Sequence, residues 1–223
     1  FYKNYIDKLT SILKKIGINI NTVPVLDVLR KNTHKIIGSR SFSSDPQIVK
    51  LLGQTCVKQY KLNKIATVIK HIPGHGCASL DSHLRTPKVS FNYRTLDKID
   101  FLPFKANPSL FAMTAHILYS KIDKKNVATF SKKIIFEVIR KKIGFKGILI
   151  SDDISMKALK YDLITNANYE KLNNMFQINV LSPIMITKLV IRNMILHKNK
   201  GSIVHISSIS AHTGYKGLSM YGS

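Results

Sequence analysis

No stretch of the chain approaches the roughly 20 uninterrupted apolar residues that a membrane helix needs, so no membrane partner is expected. Cysteine is almost absent. Cys56 and Cys77 are the only two, neither sits in a C-x-x-C pair, and a disulfide framework is excluded. Cys56 falls within an apolar helical pattern, where it reads as a small buried hydrophobe. A reducing, cytoplasmic setting fits. The chain starts at Phe1 with no charged start, apolar run and small-residue cleavage site behind it, so no secretory signal is read. Acidic residues are scarce: 12 Asp+Glu against 35 Lys+Arg leave a formal charge of +23. Such an excess raises nucleic acid or an anionic membrane as partner. However, the lysines are spread along the chain, with Lys-Lys pairs at 14–15, 124–125, 132–133 and 141–142 falling mostly at helix ends or in loops. General richness in Lys, Ile and Asn points to codon composition, and no nucleic-acid partner is expected.

What is present suits a soluble globular protein. An apolar share of 44% over 223 residues is enough to bury a substantial core. Tyr2, Tyr5, Ile6, Leu9, Ile12, Leu13 and Ile16 recur at helical spacing, and Gly17 is a natural stop. Ile18 to Val28, interrupted by Pro24, reads as a strand running into a loop. Asp45 and Pro46 open the next helix as N-cap and first-turn proline. The strand Ile65–Ile69 then ends on Lys70 and His71. A third helix is expected around 95–105 and a strand from Leu110 to His116. Ser131 caps a fourth helix that stops at Gly144, and the strand Gly147–Ile150 ends on Ser151-Asp152-Asp153. Alternating strands and helices imply parallel strands with helical crossovers, in a barrel or an open sheet.

From about Asn168 the character changes to long helical stripes, whose Met and aromatic residues read as core-facing positions. A strand over Ser202–Ile206 and a segment rich in small residues follow. The expected division is therefore 1–167 and 168–223.

Chemistry-bearing residues gather where strands end. Lys70-His71-Ile72-Pro73-Gly74-His75-Gly76 is followed closely by Asp81-Ser82-His83. The glycines beside His75 let the backbone approach a ligand or flex. Asp81 is close enough to His83 to orient an imidazole and raise its basicity. Asp152 and Asp153 end another strand on the same side. A carboxylate nucleophile opposite an acid/base is the arrangement that hydrolyses a glycosidic bond with retention, and a His–Asp acid/base would be an unusual variant of it. Alternation alone does not choose between Asp152 and Asp153. His71, His75 and His83 would suit zinc by type, but their spacing matches no common zinc pattern. His116 reads equally as a hydrogen-bonded structural histidine or a substrate contact.

These motifs, with Met113-Thr114-Ala115-His116, Gly144-Phe145-x-Gly147 and Ser151-Asp152-Asp153-x-Ser155-Met156, occur in the order found in the family-3 β-N-acetylglucosaminidases of cell-wall recycling, which residues 1–167 resemble. Pro24-Val25-Leu26-Asp27 and Ile37-Gly38-x-Arg40-Ser41 extend the likeness upstream. The resemblance implies an α/β fold: a partial (β/α)8 TIM-type barrel of about four β/α units, half of what closure takes. It implies Asp152 as nucleophile, His83 as acid/base on a mobile loop with Asp81 as its partner, and Arg40, Lys70 and His71 as holders of sugar hydroxyls. The implied substrate is an N-acetylglucosamine-containing muropeptide, with no cofactor. The family's earlier Asp-Gln-Glu-Gly-Gly strand end and its last two barrel strands have no counterpart here.

Residues 168–223 resemble the middle of a short-chain dehydrogenase/reductase, a partial Rossmann-like α/β fragment, through Asn179, Ser208 and Tyr221 within Gly201–Ser208 and Gly217–Tyr221. The family's Lys four residues after the Tyr would fall at 225, beyond the last residue. The Gly-rich dinucleotide loop is not found upstream. An NAD(P)-dependent oxidoreductase fragment and a non-catalytic remnant stand as the alternatives to a glycosidase.

Overall fold

A computed structural model of the chain describes residues 1–80, 82, 86–105, 107, 109–153, 156, 173–174, 176–201 and 203. The chain divides into two compact units, Phe1–Leu159 and Lys160–Ser223.

In the first unit, α1 (Tyr2–Lys15) leads to β1 (Ile20–Asn21), and α2 (Pro46–Leu62) to β2 (Ala66–Ile72). Then come β3 (Lys88–Val89), α3 (Tyr93–Lys98), α4 (Leu102–Lys105), β4 (Phe111–Thr114), β5 (Leu118–Tyr119), the π-helical α5 (Ile134–Ile143) and β6 (Ile148–Ser151). The main sheet is β1-β2-β4-β6, and every pairing in it is parallel. Its order follows the chain without the reversal that marks a doubly wound sheet. This is an arc of a β/α barrel, which settles the choice between barrel and open sheet. β3 and β5 pair in a small parallel sheet of their own, built in the loops that follow β2 and β4.

Local chemistry explains the boundaries. The Asp45 side chain accepts the Gln47 N–H and Pro46 sits in the first turn, so α2 starts where expected. Ser131 Oγ accepts the Ile134 N–H at 3.1 Å and donates to Asp123 Oδ2 at 2.7 Å. Gly144 ends α5 in the left-handed region at φ 78°, a conformation that suits glycine.

Ile18–Val28 is a strand running into a loop, as its pattern implied: it pairs at Ile20–Asn21 and again as a bridge between Val25 and Lys70, and Pro24 between them has no N–H to give to a ladder. One expectation needs correction. The single helix around 95–105 is two short ones, α3 and α4. A continuous helix would need the Pro103 N–H to reach the Ile99 carbonyl, and proline has none.

The sheet packs its inner strands against the helices. Ile69, Ile72 and Ala112 are fully buried with Leu96, Phe101, Phe104, Ile134 and Val138. A second cluster joins Ile6 of α1 to Cys56, Tyr60 and Ile65, so Cys56 is the buried hydrophobe its pattern implied. Each such large side chain contributes about 1.5–3 kcal/mol by leaving water.

In the second unit the described helix α6 (Ser182–Leu196), preceded by a π-helical turn over Gln177–Leu181, begins beside Pro183. Its apolar residues are not core positions: Ile184, Met185, Leu189 and Ile195 are exposed. Spacing at three and four residues specifies a helix, but not a surface for it to pack on. The strand expected over Ser202–Ile206 lies outside the described residues. No described helix is long and apolar enough to cross a membrane.

Replacing Ser131 by Ala removes the α5 cap and the Asp123 partner together. The variant is expected to lose about 1–2 kcal/mol in urea denaturation, and an unchanged midpoint would show that the cap carries no stability.

Candidate active site

The C-terminal ends of β2, β4 and β6 are aligned by the register, with Lys70 opposite Met113 and Met113 opposite Ile150. The pairing shifts between Lys70 and Ile72. His71 sits in that irregularity, and bulges of this kind re-aim a side chain. Its neighbour across the barrel mouth comes from the turn after β6.

The centre of the site is a carboxylate that the sequence reading left without a role. Asp27 has no exposed side-chain surface. Its Oδ2 accepts His71 Nδ1–H at 2.7 Å, and its Oδ1 accepts the backbone N–H of His75 at 2.6 Å and of His71 at 3.3 Å. Burial pushes the Asp27 carboxyl up, but His71 and the hydrogen bonds from His71 and His75 outweigh it and hold it below the usual carboxylate range. The available signal was its place, a lone Asp closing the apolar run Val23–Leu26.

Because Nδ1 of His71 is committed to Asp27, Nε2 faces the site, 3.9 Å from Asp152 Oδ2. That gap is too long for a hydrogen bond, so each atom keeps capacity for a third group. Asp152 Oδ1 accepts the Asp153 N–H at 2.8 Å, which turns Oδ2 towards His71. The next turn is pinned from β4: His116 Nε2–H donates to the Asp153 carbonyl at 3.1 Å, and His116 Nδ1 accepts from the Thr129 hydroxyl at 2.7 Å. His116 is thus a buried, hydrogen-bonded residue, its pKa lowered by burial against the pull of Asp152. Between the two acids, Asp152 is the one whose carboxylate meets His71. Asp153 is more exposed and presents its carbonyl to His116.

Lys70 is half-buried, and its Nζ donates to Thr22 Oγ1 at 3.2 Å. Burial and the nearby Arg40 charge lower its pKa, with Asp152 and Asp27 pulling the other way. Arg40 is exposed at the end of a 3-10 turn, with its Nε–H on the Ile36 carbonyl at 2.8 Å. The structure thus brings together Asp152, His71, Lys70 and Arg40. Asp81 and His83, the expected acid/base pair, lie outside the described residues, as do Ser208 and Tyr221. Asn179 falls in the π-helical turn before α6.

The glycines beside His75 serve a different purpose from the one expected. A Cβ on Gly76 would stand 1.8 Å from the Val28 carbonyl oxygen, and one on Gly74 would stand 2.8 Å from Asp100 Cβ. The close approach they permit is between segments of this chain rather than to a ligand. The His75 ring is buried, with Nε2 sharing a hydrogen bond of 3.1 Å with Ser82 Oγ. Arg30 pairs with the buried Asp100 on the far side of this loop. Among the described residues, no group of three or more His, Cys, Asp or Glu is placed to hold a metal ion.

The family model described as the glycosyl hydrolase family 3 N terminal domain matches residues 7–173, and the short chain dehydrogenase model matches residues 159–223. A β-hexosaminidase of Nitrosomonas eutropha is 36% identical over 162 residues, covering 71% of this chain and 46% of that protein. β-Hexosaminidase A of Pseudoalteromonas piscicida is 33% identical over 162 residues, covering 66% of this chain and 27% of its own length. The chain therefore spans less than half of these relatives. Among solved structures, a glycoside hydrolase family 3 β-N-acetylglucosaminidase from Paenibacillus superposes with a TM-score of 0.67 at 30% identity, covering 70% of this chain and 31% of that one. NagZ of Neisseria gonorrhoeae with N-trifluoroacetyl-D-glucosamine gives 0.65 at 32% identity, covering 70% and 46%.

Two predictions follow from the carboxylate hub and its loop. In Asp27→Asn an amide must face three N–H donors, so one donor loses its acceptor; the variant is expected to lose about 3 kcal/mol in urea denaturation, and wild-type stability would show that the hub is dispensable. Burial, only partly opposed by Asp27, holds the His75 imidazole down to about 4. A depressed histidine stabilises the fold while neutral: its contribution is full above about pH 6.5 and is lost as pH falls towards 4. Asp100, pushed up to about 6 by burial against the pull of Arg30, has the opposite slope below pH 6, so the comparison is between variants. His75→Gln is expected to flatten the loss of stability between pH 6.5 and 4 relative to wild type. Parallel pH profiles would remove His75 as its source.

Proposed function

Since the chain belongs to the glycosyl hydrolase family 3 N-terminal domain family, we propose that it carries the catalytic face of a β-N-acetylglucosaminidase, which removes terminal β-linked N-acetylglucosamine from peptidoglycan fragments in the cytoplasm. The observation that carries this reading is the meeting of Asp152 with an Asp27-oriented His71 at the ends of parallel barrel strands.

In the proposed reaction Asp152 Oδ2 attacks the anomeric carbon while the leaving oxygen takes a proton from His83, with Asp81 proposed as the partner of that histidine. The C–O bond to the leaving group breaks and a glycosyl ester on Asp152 forms. His83 then takes a proton from water, whose oxygen attacks the same carbon and frees Asp152, with net retention. Arg40, Lys70 and His71 hold sugar hydroxyls. His71 suits this role because its Nδ1–H is fixed on Asp27, which holds the ring with Nε2 turned into the site. Lys70 suits it because burial and Arg40 make its ammonium seek a partner. The reading needs no cofactor. The tail match is consistent with Asn179, Ser208 and Tyr221 as a reductase-like remnant.

The test is hydrolysis of a chromogenic β-N-acetylglucosaminide. Asp152→Asn is expected to lower kcat by at least about a thousandfold, with the fold intact by circular dichroism. Undiminished turnover in that variant would sink the mechanism.

A further inference from the structure

The sheet β1-β2-β4-β6 is an arc with two edges. Among the described residues β1 pairs with β2 alone and β6 with β4 alone. The helices outside the sheet touch in the order α1, α2, α4, α5, so α1 and α5 stand at the two ends of the arc.

Alternation along the strands separates two faces. Ile69, Ala112 and Leu149 share one level of the register and pack towards the helices. Val68, Phe111 and Ile148 share the adjacent level and therefore point to the concave side, as do Ala66 and its partner Ile20. Burial on that side falls from the middle outwards. Val68 is 2% exposed, Ile148 is 41% exposed and Ile20 is 46% exposed. In a closed barrel such positions fill the interior in layers. Here the filling stops at both edges.

Neither edge is guarded. Free edge strands are usually blunted by charge or proline. In a chain with 35 Lys+Arg, the edge strands Ile20–Asn21 and Ile148–Ser151 carry neither. α1 adds an apolar stripe of Tyr5, Ile12 and Ile16, all more than half exposed, apart from the stripe that buries Ile6. Single exposed apolar residues such as Leu51 of α2 are ordinary. Those at the edges are set apart because they border the two ends of one sheet.

Strand count and direction select what covers them. Four parallel strands are half of the eight that close a barrel of this type. A two-fold axis along the barrel axis keeps the strands of two copies parallel and sets β6 of each beside β1 of the other. The two junctions are then identical, and the ring closes at two copies. A β1-to-β1 contact would run the strands antiparallel and leave both β6 edges open. Tyr5, Ile12, Ile16, Ile20, Phe136 and Ile148 are each about half exposed. At roughly 200 Å² per side chain they offer on the order of 600 Å² per copy before the strand edges are added, against roughly 800 Å² per partner in a standard interface.

We propose that a second copy of this chain covers both edges, β6 on β1 and β1 on β6, giving a closed eight-stranded barrel with one Asp152 from each copy at its mouth. The inference rests on the barrel fold and not on the hydrolase reading.

The test is sedimentation velocity of the full chain over about 1–100 μM. A dimer of the 25.2 kDa chain is expected, and it should tighten with added salt because each copy carries +23. Ile20→Lys and Ile148→Lys, at positions exposed in the single copy, are each expected to weaken dimerisation at least about tenfold with circular dichroism unchanged. Leu51→Lys should leave it as it is. With Asn21→Cys and Ser151→Cys in one chain, a short bismaleimide should join two copies, and neither single variant should be joined. A monomer throughout the range, open-ended polymers, a dimer indifferent to both edge substitutions, equal weakening by Leu51→Lys, or cross-linking of a single variant would each overturn the proposal.

Discussion

Asp27 gathers three N–H donors from two histidines while having no contact with water. A buried carboxylate is tolerable only when its oxygens are paired in this way, and here the pairing sets the site. It fixes the His71 tautomer, so that Nε2 faces Asp152. It ties the His75 backbone, and through it the tight Gly74–Gly76 turn, to the end of the first strand segment. The glycines follow from that closeness, since Gly76 lies against the Val28 backbone with no room for a Cβ.

A second set of hydrogen bonds, from Thr114 through Thr129 and His116 to the Asp153 carbonyl, fixes the turn after β6. The first network faces Asp152 through His71, and the second holds the neighbouring Asp153. The parallel sheet makes this possible because it brings the C-terminal ends of β2, β4 and β6 to one level. Barrel architecture places variable polar loops at that end while the core below is held by burial.

Charge is used differently at the two ends of the strands. At the Asp152 end the cations are few and engaged, with Lys70 on Thr22 and Arg40 on the Ile36 carbonyl. At the other end Lys61, Lys64 and Lys146 form no salt bridge among the described residues. A net charge of +23 read only as composition hides this difference, because a sum has no position.

Much of the first unit was legible in the sequence, for reasons that are local. Asp45-Pro46 starts α2, Ser131 caps α5 and Gly144 ends it, because caps and left-handed turns depend on neighbours a few residues away. The motif order in residues 1–167 identified the family and pointed to Asp152 and His71. What could not be read there depends on contacts across the chain. Asp27 meets His71 from 44 residues away, and His116 reaches Asp153 from 37. The exposed apolar face of α6 is the same lesson in reverse, since periodicity sets a helix without setting its partner. The sequence alone determined helix caps and stops, family and candidate acids, because these rest on short-range chemistry. Only the tertiary structure decided which acid faces the histidine, which carboxylate orients it and where unpaired charge collects, because those depend on strand register and on packing between distant segments.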